Sequence, residues 1–174
     1  LFSPTLRQRV VSYSQELHNV TIKTREKDLE SEVQRWIHSD RESDEYHRIF
    51  SSLEANYLRD VTASSNSIAD EVIVTDAFGL VRITSSPPIQ LFCFNEEWWQ
   101  RTLKLQSRQI YRFVSADPEG NEWIYFCLPL FDDEGRHPVG VIRMRLPVAR
   151  LLEKAYQIDG RRIQGLYFIT DWGH

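Results

Sequence analysis

The chain has no apolar run near the roughly 18 residues that a membrane-spanning helix requires, so no segment of it is read as crossing a bilayer. It has no excess of basic residues: 21 Lys and Arg stand against 25 Asp and Glu, a formal net charge of −4. An acidic chain lacks the basic face that phosphate backbones require, and nucleic acid is not expected as a partner. Only two cysteines occur, Cys93 and Cys127, with neither C-x-x-C spacing nor a histidine at metal-ligand distance in sequence. Two readings of them stay open, a disulfide in an oxidising compartment or two small core residues. The five histidines (His18, His38, His47, His137, His174) are dispersed, and no serine lies in a nucleophile-elbow context. Glycine-rich phosphate loops and alternating strand-helix-strand units are also missing, which excludes a nucleotide-binding α/β fold.

What is present describes one ordinary soluble domain: 174 residues, 41% hydrophobic and 26% charged. The sequence begins at Leu1 without a signal-peptide pattern and is read as a piece of a longer protein, so flanking membrane segments would not be visible in it.

Residues 5–39 contain neither Pro nor Gly, and apolar residues recur at Leu6, Val10, Tyr13, Leu17 and Val20, then at Leu29, Val33, Trp36 and Ile37. This spacing predicts an amphipathic helix, started by Ser3 and Pro4, on the order of 50 Å long at about 1.5 Å per residue. It serves either as a core-flanking helix broken near residue 25 or as a stalk with a homodimer seam. Tyr46, Ile49, Phe50, Leu53, Tyr57 and Leu58 predict a second helix, and the polar cluster Ala63–Ser67 a loop.

Beyond residue 68 the period changes to two. Strands are expected at 71–75, 80–84, 110–114, 123–129 and 139–145, with turns at Asp117–Asn121 and Asp132–Arg136. A short helix over 96–105 is expected to start at an Asn95 cap, and another to run from Pro147 to about Tyr156. A sixth strand is expected at Leu166–Thr170. Hairpins joined by tight turns demand an antiparallel sheet with helices against it, an α+β fold.

One pattern occurs twice. Val72–Gly79 and Tyr167–Gly173 are both apolar runs ending in Thr-Asp with a Gly close behind. Asp bonds back to the turn backbone and Gly accepts positive φ, so each is a hairpin signal. The second copy begins a further domain of the same kind or supplies an added edge strand to the first.

The acidic pairs are poor catalysts. Glu96 and Glu97, if adjacent on a helix, point about 100° apart and cannot act as a paired acid and base. Asp132-Asp133-Glu134-Gly135 lacks the alternating spacing of a calcium loop. No catalytic residue, metal site or cofactor is expected.

A long leading helix, Thr75-Asp76-x-x-Gly79, a tryptophan-bearing helix, an aromatic strand ending in Leu128-Pro-Leu-Phe-Asp-Asp-x-Gly135, and Val139-Gly-Val-Ile142 follow one another in an order that resembles the Cache sensor family, over about residues 5–157. The resemblance implies a PAS-like five-stranded antiparallel sheet with a long N-terminal helix and flanking helices. The division it implies is residues 1–60 as helical stalk, 68–157 as sensor core, and 158–174 as connector and strand. It further implies an extracytoplasmic, non-enzymatic input domain of a membrane-bound bacterial receptor of histidine kinase, chemoreceptor or diguanylate cyclase type. The alternatives are a dimerisation or spacer module that binds nothing, and a cytoplasmic PAS module with a flavin or heme, for which no cysteine motif is present.

The family pocket maps to the segment 85–109 and the facing strands. Trp98, Trp99, Arg101, Tyr111, Arg112, Tyr125 and Arg143 are the ligand-binding candidates, with Phe92, Phe94 and Lys104 nearby. Aromatic walls with a guanidinium fork suit a small molecule, an organic anion among them. The alternative is that the tryptophans are core and the cations solvated. The amino-acid-binding subset of double-Cache domains carries an Arg where this chain has Glu96 and a Tyr where it has Leu91. It also has an Asp after the last strand, where Leu146-Pro147 stands here. An α-amino-acid ligand is therefore not implied.

Overall fold

Asp76 ends one strand and Gly79 begins the return, as the local sequence dictates. One Asp76 carboxylate oxygen accepts the N–H groups of Phe78 (2.8 Å) and Leu80 (3.1 Å). Gly79 takes φ +81°, and a side chain there would meet the backbone of Phe94 at 2.6 Å. This hairpin joins β1 (Glu71–Asp76) to β2 (Val81–Thr84).

The computed structural model describes residues 47, 49–64, 67–87, 90–106 and 109–159, together with Gln8 and Ser31. The expected helix over 5–39, the strand at Leu166–Thr170 and the second Thr-Asp-x-Gly pattern lie outside the described residues.

The remaining strands are β3 (Tyr111–Ala116), β4 (Glu122–Phe131) and β5 (Pro138–Pro147). They form a five-stranded sheet in the order β2-β1-β5-β4-β3, in which every paired neighbour is antiparallel. With α1 (Leu53–Ala63), α2 (Glu97–Leu103) and α3 (Val148–Asp159) the domain is α+β with a PAS-like sheet.

Three local expectations are corrected. The second helix is interrupted: Ser51 and Ser52 leave the helical path, and the Ser52 hydroxyl accepts the Ala55 N–H at 3.1 Å to begin α1 anew. That restart changes which residues face inward, so Ala55 and Leu58 are buried whereas Leu53 is 80% exposed. Asn95 is not the cap of α2. Glu96 is, with extended backbone and no capping side-chain bond, and its carbonyl accepts the N–H groups of Trp99 and Gln100. Pro147 does not open α3 but closes β5, opposite Trp123.

The sheet register separates two faces, since directly opposed residues share a side. Val72, Met144, Phe126 and Arg112 form one cross-strand row. On that face Ala55 and Leu58 of α1 pack with Val72, Val74, Ile83 and Ile142. Ile73, Arg143, Cys127 and Tyr111 form a row on the opposite face, and Glu71, Arg145, Tyr125 and Phe113 the next. Here α2 packs, with Trp98 and Trp99 joining Ile73, Leu80, Cys127 and Val141 in a second core.

Candidate functional site

The face under α2 carries the ring and guanidinium chemistry because β3, β4 and β5 each repeat it with a period of two. Tyr111 and Phe113, Trp123 and Tyr125, and Arg143 and Arg145 are i, i+2 pairs, so each pair emerges on one side of its strand. Pairing then sets them side by side. Arg101 lies over the Tyr111 ring at 5.7 Å, and Tyr111 is 5.9 Å from Phe113. Phe113 stacks on Tyr125 at 4.5 Å, with only 2° between the planes. Arg143 lies 5.3 Å from the Tyr125 ring and 4.8 Å from Trp98, and Arg145 lies 4.4 Å from Trp123. The result is a continuous ladder of rings and cations. Tyr111, Phe113 and Tyr125 are half-buried, as a surface open to a small molecule would be.

Each guanidinium of the ladder has a carboxylate. Arg143 donates to Glu71 at 2.9 Å, with the Glu71 side chain only 7% exposed. The other Glu71 oxygen accepts the Ser86 hydroxyl at 2.8 Å. Arg145 holds Asp70 through two bonds, at 3.1 and 3.2 Å. Burial works against the Arg145 charge, but the Asp70 bonds and the nearby carboxylates outweigh it and raise its pKa. Arg101 pairs with Glu97 at 2.6 Å in solvent, a pair worth little to stability. The Nε–H of Arg143 is buried and has no acceptor among the described residues. A buried donor left without a partner costs about 1–3 kcal/mol, so this atom marks a site where an acceptor is favoured.

The structure therefore brings together Trp98, Arg101, Tyr111, Tyr125 and Arg143. Trp99 lies deeper: it is 7% exposed and its indole N–H donates to the Thr75 hydroxyl at 3.0 Å, which makes it a satisfied core residue. Arg112 is not brought to the ladder, because its register with Phe126 places it exposed on the other face. Sequence reasoning missed Phe113, Trp123 and Arg145. The signal that could have found them is the i, i+2 spacing to Tyr111, Tyr125 and Arg143.

Cys93 and Cys127 lie in the core beneath this face as free thiols. Burial pushes both up to about 12, against a lowering influence of Arg143. Neither thiol is expected to react with an aromatic disulfide reagent in the native protein, while both react after unfolding in denaturant. Rapid labelling of either in the native state would contradict their placement. Among the described residues, no group of His, Cys, Asp and Glu could hold a metal ion, and no helix is long and apolar enough to cross a membrane.

No family model and no curated protein matches the chain. Among solved structures it is similar to the ligand-binding domain of the Pseudomonas aeruginosa PAO1 amino acid chemoreceptor PctC in complex with GABA, at TM-score 0.43 and 14% identity over 90% of this chain. It is also similar to the ligand-binding domain of the Campylobacter jejuni chemoreceptor Tlp3 in complex with 4-methylisoleucine, at TM-score 0.44 and 15% identity over 86% of this chain. A third is the extracellular domain of a protein designated histidine kinase vpHK1S-Z8, at TM-score 0.42 and 13% identity over 84% of this chain. The chain spans 66%, 60% and 57% of those three chains respectively.

Proposed function

We propose that the chain is a ligand-sensing input domain of a membrane-bound bacterial receptor, held outside the cytoplasm, whose small-molecule ligand binds on the ladder between α2 and the sheet. The observation that carries this reading is Arg143, set between the Trp98 and Tyr125 rings with a buried, unsatisfied Nε–H. The resemblance in sequence order supports it. A ligand signals only if it binds two arrangements of the domain with different affinity. The covalent route for such a difference is short. Arg143 and Arg145 lie on β5, and β5 passes from Pro147 into α3 at Val148 without a loop. A shift of β5 by the occupied ladder thus reaches α3 directly.

A second reading, a spacer module that binds nothing, is favoured by the burial of Trp98 and Trp99, which are 6% and 7% exposed. A thermal-shift screen with organic acids, amines, amino acids and uncharged aromatic compounds separates the two. A ligand present at about a hundred times its Kd should raise the midpoint by roughly 5–10 °C in a domain of this size. Arg143→Ala alone would leave Glu71 buried without its partner and destabilise the fold for an unrelated reason. The informative variant is therefore the double replacement Arg143→Met, Glu71→Gln, which should stay folded and lose the shift. A full shift in that variant removes Arg143 from the site, and silence of the whole library favours the spacer.

A further inference from the structure

Resting on that reading, we infer that the ladder selects an uncharged planar ligand carrying a hydrogen-bond acceptor, such as an amide or a ring with a carbonyl or unprotonated nitrogen, rather than an organic anion. The charge arrangement carries this. Three guanidinium groups face three carboxylates: Arg143 pairs with Glu71, Arg145 with Asp70 and more distantly with Glu71 at 3.9 Å, and Arg101 with Glu97. An anion that takes Arg143 must displace Glu71, whose side chain is 7% exposed. That leaves a buried carboxylate without its principal cation, an expensive arrangement. An anion that joins the pair instead meets Glu71 at close range. A cation meets the guanidinium groups and has no unmatched carboxylate among them to receive it.

An uncharged ligand avoids both penalties. The half-buried Phe113 and Tyr125 rings stack on each other at 4.5 Å with 2° between their planes, and the exposed part of that pair offers a planar molecule apolar area and a further stacking surface. Its acceptor supplies what the Arg143 Nε–H lacks, without adding charge. That donor is closed to solvent, so a ligand reaches it only when the side chains covering it shift.

Benzamide, benzoate and benzamidinium are close in shape and differ in charge, and calorimetric titration of the folded chain with each is the test. Benzamide should bind, with benzoate and benzamidinium at least about tenfold weaker, a difference of about 1.4 kcal/mol. Glu71→Gln should then remove the preference over the anion, because Arg143 loses its counter-charge and benzoate gains about tenfold or more. Tighter binding of either charged probe to the unaltered chain overturns this inference and leaves the ligand-sensing reading in place. An unchanged benzamide preference in Glu71→Gln also overturns it, since charge matching is then not the cause. If no probe binds in either protein, the inference of an uncharged planar ligand falls, while the ligand-sensing reading is decided by the thermal-shift screen.

Discussion

Gly140→Ala is expected to destabilise the domain by about 3 kcal/mol or more, at the upper end of what overpacking costs. Gly140 sits opposite Asp76 on β5, and a Cβ there would lie 2.2 Å from the carbonyl oxygen of Thr75 and 3.2 Å from its carbon. Those atoms are backbone, and β1 is held on both sides by β2 and β5. The strand cannot give way at one residue without losing register along the pair. An opposing effect exists, because replacing glycine by alanine restricts the unfolded chain and stabilises by about 0.4–1 kcal/mol where the native backbone tolerates it. At 2.2 Å the clash is the larger effect. Urea unfolding followed by tryptophan fluorescence should show a much lower midpoint with an unchanged slope. A midpoint equal to that of the parent chain would contradict the close approach of β5 to β1.

Asp76→Ala should cost as much or more. Asp76 is fully buried, and its two carboxylate oxygens divide their work between the turn and a cation. One accepts the Phe78 and Leu80 N–H groups, and the other binds Arg82 at 3.0 Å (Nε) and 2.9 Å, with the Arg82 side chain only 9% exposed. Removing the carboxylate strands a buried guanidinium and two turn donors together. Breaking a buried pair from one side costs about 3–5 kcal/mol. Asp76→Asn keeps an acceptor for the turn while losing the charge, so its loss should fall between the parent and Asp76→Ala. Chemical denaturation of the three proteins tests the order. An Asp76→Ala protein within about 1 kcal/mol of the parent would show that the turn and Arg82 find other partners.

Asp76 and Gly79 were legible in the sequence because the turn is local: its donors, acceptor and positive φ all fall within five residues. The close contact at Gly140 was not, since it depends on which residue of β1 stands opposite. The same holds for the Arg143–Glu71 and Arg145–Asp70 pairs, whose members are 72 and 75 residues apart in the chain. Strand period was readable, whereas strand phase was not. Arg112 and Arg143 look alike in sequence, yet register places one in solvent on the far face and the other among aromatic rings. The break at Ser51 and Ser52 had no apolar interruption to announce it, because Phe50 and Leu53 keep the expected helical spacing across it.

The central claim is that the ladder face, not the α1 face, receives the ligand. Amide correlation spectra recorded while benzamide is titrated into the folded chain test it most directly. The largest saturable shifts should fall on Trp98, Phe113, Tyr125 and Arg143, with Ala55, Leu58 and Arg112 unmoved. Saturable shifts centred on α1 and the Arg112 side of the sheet would contradict the assignment of the site.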